Sequence, residues 1–469
     1  MKTLLKAIAG WRLRGSTLLF MIMTANACSK QNAFLNVKSS NSAVVPTTLS
    51  DFQATLDYTN IMNSSYPMLG LLGCDNYYLT SSVYNSLQPP QNTAYIWASD
   101  IWEGQPSSDW NCAYQTVEYS NIALDGISEL SGNSDSTSEY NNVKGSALFY
   151  RAFAFYNLAS LFCKPYAAST ASSDLGIPIP LTSNVNAKIV RATVQQTYTQ
   201  IINDLSEASD LLPNTALYVT RPSVTTTYAL LAKVYLAMGD FSNAGIYANR
   251  SISLNGALID FNSSLVNISS FLPFPSNPSA NPEILFYAEG NGYGTIWPFG
   301  SGIVDSNLYQ SYSSNDLRLA AFYKNFGSGP FFVGTYDCYG DYNFSGIANN
   351  EIYLIRAECY ARQSDTKDAL ADINLLLSKR YISNTFTPYA TANADSILSI
   401  ILTERRKELP FTANVRWEDL RRLGNSAYAI TIQRNLNGAI YTLPPNDPRY
   451  VYPIPDNEIQ LTGIQQNPR

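Results

Sequence analysis

From Thr225 to Met238 the chain reads TTTYALLAKVYLAM, breaks at Gly239-Asp240-Phe241, and resumes as SNAGIYANRSISL. Apolar and small residues recur at helical spacing on both sides of the break, which predicts two helices joined by a tight turn. Ala232, Tyr235, Gly239, Ala244 and Ala248 resemble the small-and-aromatic pattern of a tetratricopeptide pair, in which alanines let two helices approach closely. Such a hairpin cannot bury its apolar face alone, so it demands neighbours. The sequence supplies them: the expected pairs are 47–62 with 110–130, 142–162 with 193–212, 225–238 with 241–254, and 351–363 with 365–380. The expected fold is mostly α, with tetratricopeptide-like helix pairs forming an α-solenoid scaffold overlaid by long irregular loops with short strands. Two stretches, about 70–105 and 256–348, are loop-rich and lack helical period over much of their length. They are too long to be simple linkers, and irregular segments on a rigid frame are where binding sites usually sit.

The 469 residues include no histidine. That excludes Ser-His-Asp triads, Cys-His dyads, HExxH zinc sites and His-ligated haem. Charged residues make 14% of the chain, against about 25% in an average domain. Tyr (33), Phe (20) and Trp (6) together make 13%. The surface is therefore polar through amides, hydroxyls and phenols, which suits neutral hydroxylated ligands.

Lys2, Lys6, Arg12 and Arg14 precede an uncharged stretch that ends at Ala25-Asn26-Ala27-Cys28. The apolar run is short of the ~20 residues a spanning helix needs, and its layout is that of a cleaved signal peptide over 1–27. A lone cysteine after small residues resembles a bacterial lipobox, with Cys28 as the lipidated first residue of a single body over 28–469. The other reading makes Cys28 an ordinary residue beyond a secretory cleavage site. Cleavage there leaves 26 basic residues against 36 acidic and a net charge of −10, a poor match for nucleic acid. Cys74, Cys112, Cys163, Cys338 and Cys359 show no CxxC spacing, so no metal or redox site is expected, and five is odd, so at least one stays unpaired.

Several segments occur in a fixed order: FLNVKSS, PTTLSDFQATLDYT, DWNCAYQTVEYSNIALDGI, ALFYRAFAFYNLASLFCKPY, DLGIPIPL, the hairpin at 229–254, ILTERRKELPFTANVRWEDLRRLG and VYPIPDNEIQLTGIQQNP. Together with Cys28 they resemble the SusD/RagB family of outer-membrane nutrient-binding lipoproteins. The resemblance implies a lipid-anchored protein on the outer face of the outer membrane. It also implies capture of a glycan or peptide and delivery to a SusC-like TonB-dependent transporter, with no cofactor and no chemistry on the ligand.

A sugar ring offers an apolar C–H face and a hydroxyl rim, so its receptor needs flat aromatics beside amides and carboxylates. Two stretches provide them. The first holds Asp75, Asn76, Tyr77 and Tyr78, with Trp97 and Trp102 after them; the second holds Asn291, Tyr293 and Trp297 among glycines that leave ring faces uncovered. Trp297 is the leading ligand contact and Trp97 the next. Each is weighed against simple burial, the usual fate of large apolar side chains. Three functions compete: glycan capture, peptide capture of the RagB kind, and a two-carboxylate glycosidase using a pair such as Asp100 with Glu103. Scarce charge favours the first. Glu404 and Glu408 read as paired structural charges, Trp417 with Arg421 and Arg422 as the lock of the C-terminal segment onto the body, and no Asp-x-Asp-x-Asp-Gly loop supports a structural calcium ion.

Overall fold

The computed structural model describes residues 46–130, 137–337, 339–391 and 393–469. The chain divides into two units, 1–47 and 48–469, and the account below concerns the second. The signal segment, Cys28 and FLNVKSS lie outside the described residues, as does Cys338.

Ten helices of eight or more residues run through the described residues: α1 (Leu49–Leu56), α2 (Ser108–Glu129), α3 (Ser138–Phe162), α4 (Val194–Leu211), α5 (Val224–Met238), α6 (Phe241–Leu254), α7 (Asn349–Arg362), α8 (Thr366–Ser378), α9 (Ala394–Glu408) and α10 (Val415–Arg422). From α1 to α8 each packs on the next, and α9 packs on α7. The α5–α6 turn follows from its residues. Ser223 and Thr226 form a capping box that starts α5, Gly239 at φ 76° ends it in the left-handed region, and Asp240 accepts the Asn243 N–H to start α6. Across the pair Ala229, Ala232, Ala244 and Ala248 are buried, and the rings of Tyr235 and Tyr247 stack at 5.5 Å. Helix α2 lies against both α1 and α3, because α3 is buried on every side from Val143 onward apart from Lys144 and needs cover on each. Arg151 ties three helices together, reaching Asp204 on α4 with two hydrogen bonds of 2.7 and 2.8 Å and Asn121 on α2 at 2.9 Å.

The irregular regions are more ordered than their composition suggests. Residues 70–105 include short helices at Ser81–Ser86 and Gln91–Tyr95. Strand β1 (Tyr77–Tyr78) pairs with β2 (Ile303–Val304), and β3 (Tyr323–Asn325) pairs with β4 (Pro330–Phe332).

Part of the scarce charge lies inside. On α9, Glu404, Arg405, Lys407 and Glu408 are all buried. Arg318 reaches Asp316, Glu404 and Glu408 at 2.7, 2.6 and 3.0 Å; Arg380 reaches Glu283 and Glu408 at 2.5 and 2.8 Å. Arg405 joins Glu351 and Asp419, each at 3.0 Å. Removing one member of such a buried pair leaves its partner uncompensated and costs about 3–5 kcal/mol. These carboxylates are engaged by arginine, so the ERRKE run is a structural lock.

Candidate functional site

Residues 291–302 fold into a compact loop held by its own backbone. Ile296 and Trp297 donate to the Tyr293 carbonyl, Gly300 to that of Trp297, and Gly302 to that of Thr295, at 2.8 to 3.1 Å. The loop is pinned from below by Tyr293, which is buried and donates its hydroxyl to Asp109. Asp109 is fully buried at the start of α2, and that burial raises its acid to about 6 against the lowering effect of hydrogen bonds from Tyr293, Met68 N–H and Asn291. Tyr293 and Asn291 thus hold the loop from beneath, and the loop presents Trp297 outward at 39% exposure. Its indole lies over the Gly292 backbone so closely that a Cβ at that position would sit 2.7 Å from Trp297 Cζ2. No other residue fits there without moving the indole.

Around Trp297 the structure gathers aromatics that the sequence scatters. The Tyr342 ring meets Trp297 edge-on at 6.1 Å. Phe299, with φ 63°, lies 5.9 Å from Phe271, which stacks on Phe326 at 5.8 Å and 15°. Leu272 and Phe299 both approach the backbone at Gly340. Phe271 and Phe326 are each 53% exposed, and Leu272, Phe299, Tyr339 and Tyr342 are exposed as well. Exposed aromatics gathered in this way make the region the candidate contact surface. Its far edge is fixed by Asp337, whose carboxylate accepts the N–H groups of Asp341 and Tyr342 at 2.8 and 3.0 Å and the Tyr287 hydroxyl at 2.8 Å. Tyr287 also donates to Glu289, whose acid burial pushes up from the ordinary value. Flat rings thus stand beside a few fixed polar groups.

The first predicted cluster goes elsewhere. Trp97 is 1% exposed and donates its indole N–H to the Gly73 carbonyl at 2.9 Å; Trp102 is wholly buried and donates to the Pro453 carbonyl at 3.0 Å. Tyr77 is buried with its hydroxyl on the Leu72 carbonyl, and Asn76 is buried beside it. Asp75 forms a two-pronged pair with Arg416 at 2.6 and 2.8 Å. Burial opposes its charge, but Arg416 and Arg406 outweigh that and hold its carboxyl well below the usual range. These five pack the interior: the polar groups of Asp75, Tyr77, Trp97 and Trp102 are spent on the chain itself, and Asn76 is buried among them. Tyr78 is exposed opposite Ile303, at the foot of the 291–302 loop. Of the nine expected contacts, Trp297 alone joins the exposed surface, with Asn291 and Tyr293 beneath it. The expectation missed Phe271, Phe299, Phe326, Tyr339 and Tyr342, although several carry the same signal of aromatics flanked by Gly, Ser or Asn. Asp100 accepts the N–H groups of Trp102 and Glu103 at 3.0 and 2.9 Å, closing a turn.

Residues 33–236 match a family model described as "Starch-binding associating with outer membrane", and residues 349–469 match the model of the SusD family. The aromatic surface lies between the two matched segments. The SusD-like protein P2 of Formosa agariphila is 27% identical, the match covering 69% of this chain and 73% of that protein. Among solved structures, a SusD superfamily protein from Bacteroides thetaiotaomicron superposes with a TM-score of 0.72 at 24% identity, covering 90% of this chain and all of the other. A putative sugar binding protein from Bacteroides vulgatus gives a TM-score of 0.72 at 23% identity, covering 91% and 99%. With two family models matched in order and the same helical frame, the chain belongs to the SusD/RagB family.

Proposed function

We propose that this protein captures an oligo- or polysaccharide on the aromatic surface around Trp297 and hands it unchanged to a SusC-like TonB-dependent transporter. Lipid on Cys28 holds it to the outer membrane, facing the exterior. The observation that carries the reading is the exposed ring surface itself, with Trp297 held over Gly292 and Tyr342 at its edge. Sugar C–H faces stack on such rings. The family description and the sugar-binding designation of a structural neighbour agree with it. Among the described residues no helix is long and apolar enough to cross a membrane. One acyl chain binds only marginally, and stable anchoring requires more than one chain or docking to the transporter. A shallow site holds each sugar weakly, and many tethered copies compensate through effective concentration.

Affinity gels and calorimetry against a panel of polysaccharides and peptide digests test this reading, with Trp297→Ala and Phe299→Ala alongside. Retention by one glycan class, lost in Trp297→Ala and without release of reducing ends, is the expected result. Binding of a peptide digest in place of every glycan would move the function to peptide capture.

A further inference from the structure

Among the described residues, the buried arginines other than Arg421 pair with carboxylates or donate to backbone carbonyls. Arg422 holds Glu358 and Asp419 at 2.6 to 2.8 Å, and Arg434 distributes its donors over the carbonyls of Tyr95, Tyr77 and Cys74. Arg421, the preceding residue on α10, is 8% exposed, gives one nitrogen to the Cys163 carbonyl, and leaves Nε without a hydrogen-bond partner. Burial lowers its pKa, and the groups acting against that are Tyr198, Cys163, Glu418 and Tyr156. Three of these are neutral at pH 7, and Glu418 is engaged by the Tyr156 hydroxyl at 2.7 Å. An unpaired buried guanidinium is costly unless something else supplies the counter-charge.

Arg421 also lines two adjoining cavities, of about 700 and 390 Å³, which share Lys164, Pro165, Asp174 and Asn446 with it. The larger has the size of a small-molecule site. Its acids are already used: Asp174 pairs with Lys164 at 2.6 Å, and Asp447 with Arg449 at 2.8 Å. Arg469, in the same wall, rests on the carbonyls of Ala98 and Arg449 with its Nε unpartnered. Among the described residues no side-chain carboxylate pairs with Arg421 or Arg469, in a chain whose net charge is −6. The overall field of an acidic protein repels anions, so this positive spot is local.

We propose that the cavity beside Arg421 is an oxyanion-binding site, separate from the aromatic surface, that takes one carboxylate, sulfate or phosphate group. Arg421 and Arg469 supply the positive charge of the wall, Lys164, held by Asp174, adds its charge at the rim, and the fixed amides of Asn446 and Asn467 shape the wall. The test is calorimetry and thermal shift of the purified full-length protein with inorganic sulfate, inorganic phosphate, glucuronate and glucose, at ionic strength held constant with chloride. One saturable site per chain for at least one anion, with glucose silent, is expected. Glucuronate alone binding assigns a sugar-borne carboxylate, and sulfate or phosphate alone assigns a tetrahedral oxyanion. Arg421→Gln should weaken binding at least tenfold. Lys164→Ala, on the half-exposed rim, should weaken it about threefold through loss of charge and guards against a fold defect in the first variant. Trp297→Ala should bind the anion as the wild type does. The site is overturned if none of the three anions saturates, or if every variant that folds keeps wild-type affinity.

Discussion

Trp97 and Trp102 on one side, and Trp297 on the other, sit in segments of the same character: irregular, rich in Asn, Ser and Gly, with tyrosines close by. In the first, both indole N–H groups close on carbonyls of the protein, Gly73 and Pro453, and the rings vanish into the core. In the second, a buried hydroxyl on Tyr293 takes the anchoring role, and the tryptophan is left at the surface. What separates a packing aromatic from a surface-facing one here is which residue of the segment carries the anchor. Where the tryptophan is its own anchor it has nothing left to offer, and where a neighbouring tyrosine anchors, the tryptophan is released.

The contrast can be broken most sharply at Trp102. Trp102→Ala should cost about 3–5 kcal/mol of folding stability by denaturant titration, whereas Trp297→Ala should stay within about 0.5 kcal/mol, as exposed positions do. A large loss in the second variant would erase the distinction. The anchor itself is tested by pH. The Asp109 acid titrates near 6 in the folded chain and near about 3.9 when unfolded, so the folded state holds its proton more tightly. Its contribution to stability is full below about pH 4 and is lost as the pH rises through 6, a change of about 2–3 kcal/mol. Asp109→Asn should remove that slope from a stability–pH curve. Next in size, Trp297→Ala should weaken glycan retention about tenfold, or about 1.4 kcal/mol, with the unfolding midpoint unchanged. Gly292→Ala should push the indole off its seat and reduce retention several-fold, leaving Phe271 and Phe326 in place. Smallest of all, Phe326→Ala at the outer edge should change retention about twofold, which affinity gels can still resolve.

How much of this was legible along the chain follows from where each determinant lies. The α5–α6 pair was readable because its caps, its glycine stop and its alanine seam lie within 223–248. The charge run at 404–408 was readable as paired for a related reason: three- and four-residue spacing puts such groups on one helix face. Its burial was not, since Arg318, Arg380 and Glu351 come from three other parts of the sequence. The exposure of Trp297 was readable because glycines beside an aromatic are local information. Trp102 and Tyr77 could not be told apart from it, as their hydrogen-bond partners and covering residues are fixed only when the chain is folded. Phe271 and Phe326 stack across 55 residues of sequence, and no periodicity links them.

Trp102 meets Pro453, Asp75 meets Arg416, and Arg434 reaches the carbonyls of Cys74 and Tyr77. Each seam closes a loop of more than 330 residues, and the entropy of closing so long a loop must be met before any contact rewards it. The interior of the 74–102 region is therefore completed by the last quarter of the chain. Until that portion has been delivered, Trp102 and Asp75 stay unpaired, a state prone to association. Folding of this protein is thus gated by its C-terminal portion, and a shortened chain forfeits its N-terminal core as well as the residues it lacks.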